Sequence, residues 1–313
     1  MMRRLVLQGL QFFAVVVVVY LVVFWVLCHI RLQGHPLIMR TSSYYQPKGG
    51  VAWKKFQEFD TTKHWDAIVI GSSHAYRGYD PRLFAQRGVR MFNLGSSAQS
   101  PMNSYYVLRN YLSRKNTGLV IMDLYENAFE DGGMESTSEL TRNITSDRAA
   151  VEMAIGLRDV RAVNMLALRF ILSSDPPTDL GHDYAMGGFA ERNDSVKTTP
   201  HYDLGRPLVL DPRQVDYFKR CIQYCSAQKI PMVLVTHFFP HASDHARHAA
   251  FHAFVDSIIA SAGLRYLDFA YDHTLSDTDN FYDHNHMNQS GVRIFNERLL
   301  DSLESQGYLK PVH

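Results

Sequence analysis

The sequence predicts an α/β domain, a parallel sheet with helices on both faces, behind one N-terminal membrane-spanning helix. Three observations predict it. Residues 5–28 hold no charged side chain. After residue 60, short apolar runs alternate with stretches of helical periodicity. Those runs are apolar at successive positions, as strands covered on both faces must be.

The anchor comes first. At about 1.5 Å per residue, residues 5–28 reach across a hydrocarbon core of about 30 Å. Tyr20 and Trp25 suit its outer interface. A cleaved signal peptide has a shorter apolar region ending in small residues. This run ends on Trp25, Val26, Leu27, Cys28 and His29, without such a site. Leu27 before Cys28 also fits a lipoprotein site poorly. An uncleaved single-pass anchor is therefore expected. Arg3 and Arg4 place residues 1–4 in the cytoplasm as a short tail, so that the rest is extracytoplasmic, periplasmic or extracellular. Arg31 and Arg40 pull the other way.

Residues 29–60 read as a juxtamembrane connector, and residues 61–313 as the functional domain. Candidate strands fall at 67–71, 89–94, 119–125, 232–237 and 264–269. Helical patterns fall near 101–115, 212–229, 244–262 and 289–305. The second of these opens with Asp211 as cap and Pro212 at its first position. Residues 128–210 interrupt the alternation as an insert or cap, with helical patterns near 146–173 and a Pro/Gly/Asp-rich loop after them. A chain of 313 residues, 46% hydrophobic and 20% charged, buries a sizeable core. The net charge is +1, four arginines fall within the first 40 residues, and the remainder is slightly acidic. No basic face points to nucleic acid. Cys28 belongs to the anchor, while Cys221 and Cys225, one helical turn apart, read as packed thiols.

In an open parallel sheet, ligands bind beyond the carboxyl ends of the strands. Four segments bring polar residues there: Gly71-Ser72-Ser73-His74, then residues 93–98, then 123–127, and finally the loop 282–291 with Asp283 and His286 three apart. A serine hydroxyl needs a base within hydrogen-bond reach, and that base needs an orienting partner. Ser73 is the candidate nucleophile, His286 the base and Asp283 its orienter. Ser72 is the competing nucleophile. Asn127 and a backbone N–H after the second strand are candidate oxyanion donors. Their bland alternatives are a turn cap at Asn127 and a loop closed by Asn93.

These four segments resemble the four blocks of the SGNH (GDSL-like) hydrolase superfamily. Gly71-Ser72-Ser73 is similar to its Gly-Asp-Ser block, and residues 120–127 to its third block. Asp283-His284-Asn285-His286 matches Asp-x-x-His. The resemblance covers residues 60–127 and 230–305 and implies a three-layer, flavodoxin-like sheet. It implies a Ser73–His286–Asp283 triad with an oxyanion hole of the Ser73 and Ala98 N–H groups and the Asn127 amide. No cofactor and no metal are implied. The sequence departs from the family at Ser72, at Ala98, where the family has glycine, and at Ala128. The Gly-Ser-Ser variant behind an anchor looks most like cell-envelope members, among them alginate O-acetylation and teichoic acid D-alanylation proteins. That implies a membrane-anchored serine esterase acting on acyl esters or glycans of the envelope. O-acyl transfer with a membrane-bound partner, or an inactive assembly protein, are the alternatives.

Two rivals come from the residues. Residues 71–75 fall one residue short of the Gly-x-Ser-x-Gly nucleophile elbow, which follows a mid-chain strand. Only anchor and connector precede residue 67 here. His241, His245, His248 and His252 form one stripe if residues 237–252 are helical throughout, and such a stripe suits zinc. A polar border beside Phe251, Phe254, Val255 and Ile258 explains it without metal. His237, at a strand end, is placed to line the cleft.

Overall fold

A computed structural model describes residues 2–178, 181–260, 262–271 and 274–309. Helix α1 (Met2–His29) is long and apolar enough to cross a membrane. Its side chains are exposed along almost the whole length. Near its end Phe24 and Cys28 are buried against Ile38, Tyr45, Met165, Leu168 and Leu172.

Five strands build the sheet: β1 (Trp65–Ile70), β2 (Met91–Asn93), β3 (Thr117–Asp123), β4 (Met232–Thr236) and β5 (Arg265–Asp268). Each lies on one of the predicted apolar runs. Their order is β2-β1-β3-β4-β5, and every pairing is parallel. The chain steps outward from β1 to β2 and returns on the other side at β3. A crevice therefore opens outside the carboxyl ends of β1 and β3.

Alternate residues feed two cores. Ile68, Ile70, Val120, Met122 and Leu234 face one layer, while Ala67, Val69, Ile121, Val233 and Val235 face the other. The first layer holds α2 (Gly50–Glu58), and the short α3 (Ser73–Gly78) and α4 (Pro81–Gln86) follow β1. The first layer also contains α5 (Pro101–Tyr111). After β3 come α6 (Glu126–Glu130), α7 (Met134–Asn143), α8 (Asp147–Leu157) and α9 (Val160–Ile171). Then α10 (Pro212–Ala227) packs beside α5, α11 (His245–Ile259) adds Phe251, Val255 and Ile259 to the same core, and α12 (Gln289–Ser305) covers the second core. Asp211 caps α10 and Pro212 opens it, as expected. Cys221 and Cys225 are buried free thiols on α10.

Two regions differ from their sequence reading. Part of the stretch read as connector forms α2, whose Phe56, with Phe59 just beyond the helix, joins the core beside Phe92 and Tyr111. Lys55 is fully buried there, which hides the helix from a hydrophobic pattern. Helix α7 escapes the pattern for the same reason. Its buried face carries Ser136, Thr137, Ser138, Thr141, Arg142 and Asn143. The pattern near 146–173 resolves into α8 and α9, broken where Arg158 turns left-handed at φ 59° and Asp159 caps the next helix. The loop beyond forms a small antiparallel ribbon, Tyr184–Met186 with Phe189–Ala190.

Candidate active site

β1 ends against β3 with no room to spare. Gly71 has φ +149°, and a Cβ there would stand 2.9 Å from Asp123 Cβ and O, so only glycine lets the chain turn. Ser72 then caps α3, its Oγ accepting from the His74 N–H. The Ser72 side chain is buried and lies 3.1 Å from His74 Nδ1. It is committed inside the protein. Ser73, the first residue of α3, faces a cleft of about 540 Å³.

The loop before α12 brings the other two residues to Ser73. Phe281 and Met287 pair across it, and Tyr282 N–H donates to His286 O at 3.0 Å. Inside this turn Asp283 Oδ1 accepts from the N–H groups of Asn285 (3.0 Å) and His286 (2.8 Å). His286 Nδ1 stands 2.8 Å from Asp283 Oδ2, and its Nε2 stands 2.8 Å from Ser73 Oγ. Burial lowers the His286 imidazole below its usual 6.5, partly opposed by Asp283. Burial alone would raise Asp283. The hydrogen bond and charge of His286, with the two backbone N–H groups, outweigh it and hold the carboxyl at about 2. The resting pair at neutral pH is an ionised Asp283 beside a neutral His286, the form that can accept a proton.

Behind His286 lies a column of rings. His74 stacks on His286 with centroids 4.5 Å apart, and His237 stacks on His74 at 4.1 Å. His237 Nδ1 donates to Asp123 Oδ2 at 2.8 Å, and the Tyr79 hydroxyl donates to the same oxygen at 2.7 Å. His237 is thus fully buried behind His74 and does not line the cleft. Burial, then the neighbouring His237 and His286, hold His74 well below 6.5.

Ala98 and Asn127 line the same cleft as Ser73. Ala98 sits in left-handed backbone, φ 45°, a conformation that favours glycine. The loop leading to it is held from three sides. Asn93 Oδ1 accepts from Gly95 N–H at 3.0 Å, and its amide donates to Ala75 O at 2.7 Å. The Lys55 ammonium donates to Gly95 O, and Glu139 Oε2 accepts from Ser97 N–H at 2.8 Å. Burial lowers Lys55 to about 7 and raises Glu139. Asn127 Oδ1 accepts from Arg247 at 2.9 Å, and its amide donates to the Tyr125 hydroxyl at 2.6 Å. Both ends of the Asn127 amide are thus held. Arg77, Arg192, Asp131 and Glu135 give the walls a strongly polar lining. A larger groove of about 820 Å³, between α10 and α11, lies near the amino end of β4, at the opposite edge from Ser73.

The histidine stripe is interrupted. Asp244 caps α11 at His245, leaving His241 on the preceding turn. His248 donates to Glu126 (2.6 Å) and to Asp268 (2.9 Å), and His252 donates to Asp268 (2.6 Å). His248, His252 and Asp268 are close enough together to surround an ion. Both ring nitrogens of His248 already have a carboxylate partner. Burial alone would lower His248, but Asp268 and Glu126 push it up to about 9. This is the arrangement of an ion-pair network.

No family model and no curated protein matches the sequence. Among solved structures, the chain is similar to a candidate lipolytic protein of the G-D-S-L family from Desulfitobacterium hafniense DCB-2. That likeness has 12% identity and a TM-score of 0.39, over 76% of this chain and 97% of that one. A candidate acylhydrolase from Bacteroides fragilis NCTC 9343 aligns at 11% identity and TM-score 0.43, over 80% and 94% of the two chains. The lipase/acylhydrolase from Enterococcus faecalis aligns at 13% identity and TM-score 0.27, over 79% and 98%.

Proposed function

We propose that this chain is a membrane-anchored serine esterase of SGNH type, acting on short acyl esters of a polar cell-envelope substrate. One observation carries the reading: His286 bridges Ser73 and Asp283 with contacts of 2.8 Å on both ring nitrogens. Ser73 Oγ attacks the ester carbonyl and passes its proton to His286 Nε2, while Asp283 holds the Nδ1–H and steadies the imidazolium. The oxyanion is met by the N–H groups of Ser73 and Ala98 and by the Asn127 amide. Collapse breaks the ester C–O bond, and the leaving alkoxide takes the proton from Nε2. Water then repeats the sequence through the same base and releases the acid and Ser73.

The polar walls support a hydrophilic substrate over a long acyl chain. The buried end of α1 supports an anchor that stays attached, since cleavage would strip Phe24 and Cys28 from a packed cluster. Arg3 and Arg4 support a cytoplasmic N-terminus and an exported domain. O-acyl transfer uses the same triad. The test is an activated acetyl donor offered with and without envelope polysaccharide, following where the acetyl goes. Hydrolysis predicts acetate release unchanged by the acceptor. Acylated glycan formed faster than acetate would replace the esterase reading with the transferase one.

A further inference from the structure

Helix α1 does not leave the domain freely. The Tyr20 hydroxyl donates to Asn164 Oδ1 on α9 at 2.6 Å. One and two turns further on, Phe24 and Cys28 pack against Met165, Leu168 and Leu172 of the same region. The contact has a consequence for depth. A hydrocarbon core of about 30 Å takes up about 20 residues of helix. Counted from Leu5, after the two arginines, those residues run to about Phe24. The segment of α1 that touches α9 therefore lies at the outer boundary of the bilayer, not above it. α9 must lie at that boundary too.

The surface of α9 matches such a position. Ala162, Met165 and Leu168 are buried towards the domain. Val160 is 62% exposed, Val163 48%, Phe170 51% and Ile171 39%. Their spacing of three, seven and one places them along one helical stripe. Ile155, at the end of α8, adds a fifth exposed side chain at 62%. Beyond residue 30, ten large apolar side chains are exposed among the described residues, and these five are half of them. The two arginines of α9 are neutralised within the protein, Arg161 by Asp159 and Arg169 by Asp147, so the apolar stripe, and not charge, is what this surface offers a bilayer.

We infer that α9, with the corner of α8, is a second membrane contact: an interfacial helix whose Val160–Val163–Phe170–Ile171 stripe is buried in the outer leaflet. The inference rests on α1 being a retained anchor. The occupant is lipid, because the stripe is continuous with the part of α1 that emerges from lipid. The same insert brings Asp131 and Glu135 to the cleft. Docking through α9 thus fixes the orientation of Ser73 towards the bilayer, which a single flexible tether does not.

The test uses the full chain in nanodiscs of phosphatidylcholine and phosphatidylglycerol. An environment-sensitive fluorophore is placed singly at Val16→Cys, Val163→Cys, Phe170→Cys and Lys219→Cys, in a background lacking Cys28, Cys221 and Cys225. Quenching by nitroxide-bearing lipid is then read at each site, with circular dichroism confirming the fold of each variant. The expected result is loss of fluorescence at residues 16, 163 and 170 and none at residue 219. Quenching at 16 with 163 and 170 behaving like 219 would overturn the inference and leave the anchor intact. No quenching at 16 would overturn the anchor reading itself, and the inference with it. Protection of 163 and 170 that appears only in native membranes would assign the stripe to a protein partner, and that also overturns it.

Discussion

The ring of His74 lies flat against that of His286, the two planes 19° apart and the centroids 4.5 Å apart. On its far side His74 rests on His237, which Asp123 holds by a hydrogen bond. His286 is therefore held in direction and in plane. Asp283 fixes the direction of its Nδ1, and the rings of His74 and of Tyr282, the latter 12° from parallel at 5.6 Å, fix its plane.

The first prediction follows from that stack. His74→Ala removes the face on which His286 rests, and a misplacement of about 1 Å can cost on the order of 100-fold. His74→Phe keeps an aromatic face and should retain more of the turnover than His74→Ala. The comparison is made on a model acetyl ester, with circular dichroism confirming both folds. Equal losses in the two variants would remove the positioning role.

Asp283→Asn should leave the turn standing but present the wrong tautomer, lowering turnover by roughly 10,000-fold. The pH profile checks the same pair. His286 must be neutral to accept a proton, and its folded value lies below 6.5. Activity is therefore fully present above that value and falls as the pH drops through it. The acid limb of kcat/KM should have its midpoint below about 6.5. A midpoint above that would mean that His286 is not buried as described.

Asn127→Ala should lower turnover by roughly 100- to 1,000-fold, the loss of about 3–4 kcal/mol of oxyanion stabilisation. Arg247→Met should lower it less, because the amide stays but loses the partner that orients its oxygen. If Asn127→Ala costs less than about threefold, the residue merely bridges Tyr125 and Arg247.

Ala98→Gly should stabilise the fold by about 1 kcal/mol, since an alanine at φ 45° carries the left-handed penalty. The N–H remains, so activity should persist. Urea unfolding of the two proteins decides. A destabilised variant would show that the loop is not strained.

The sheet was legible because its strands are apolar on both faces. The meeting of Ser73, His286 and Asp283 was legible because chain order alone carries Ser73 and the 283–286 turn to one edge. Other parts left no periodic signal. Lys55 and Glu139, which hold the 93–98 loop, are buried charges, and hydrophobic patterning reads charge as surface. α7 buries hydroxyls and amides, so its inner face looks like an outer one. The His74–His237 stack and the Arg247–Asn127 bond join residues more than 100 positions apart, and no local spacing encodes them.

His248 offers a test away from the cleft. Its folded value is about 9, raised by Asp268 and Glu126 against burial. A raised histidine stabilises fully below its unfolded value near 6.5, and that contribution is lost as pH rises through about 9. The loss should approach roughly 3 kcal/mol in denaturant unfolding between neutral pH and pH near 10. Asp268→Asn should shrink this pH dependence.

Ser73, and not its neighbour, is the nucleophile proposed above. A fluorophosphonate probe reacts only with an activated serine, and peptide mass mapping locates the adduct. One adduct is expected, on Ser73. Labelling should vanish in Ser73→Ala and persist in Ser72→Ala, where a helix cap worth about 1 kcal/mol and the contact with His74 Nδ1 are lost. An adduct on Ser72, or a folded protein that the probe leaves unlabelled, would contradict the proposal.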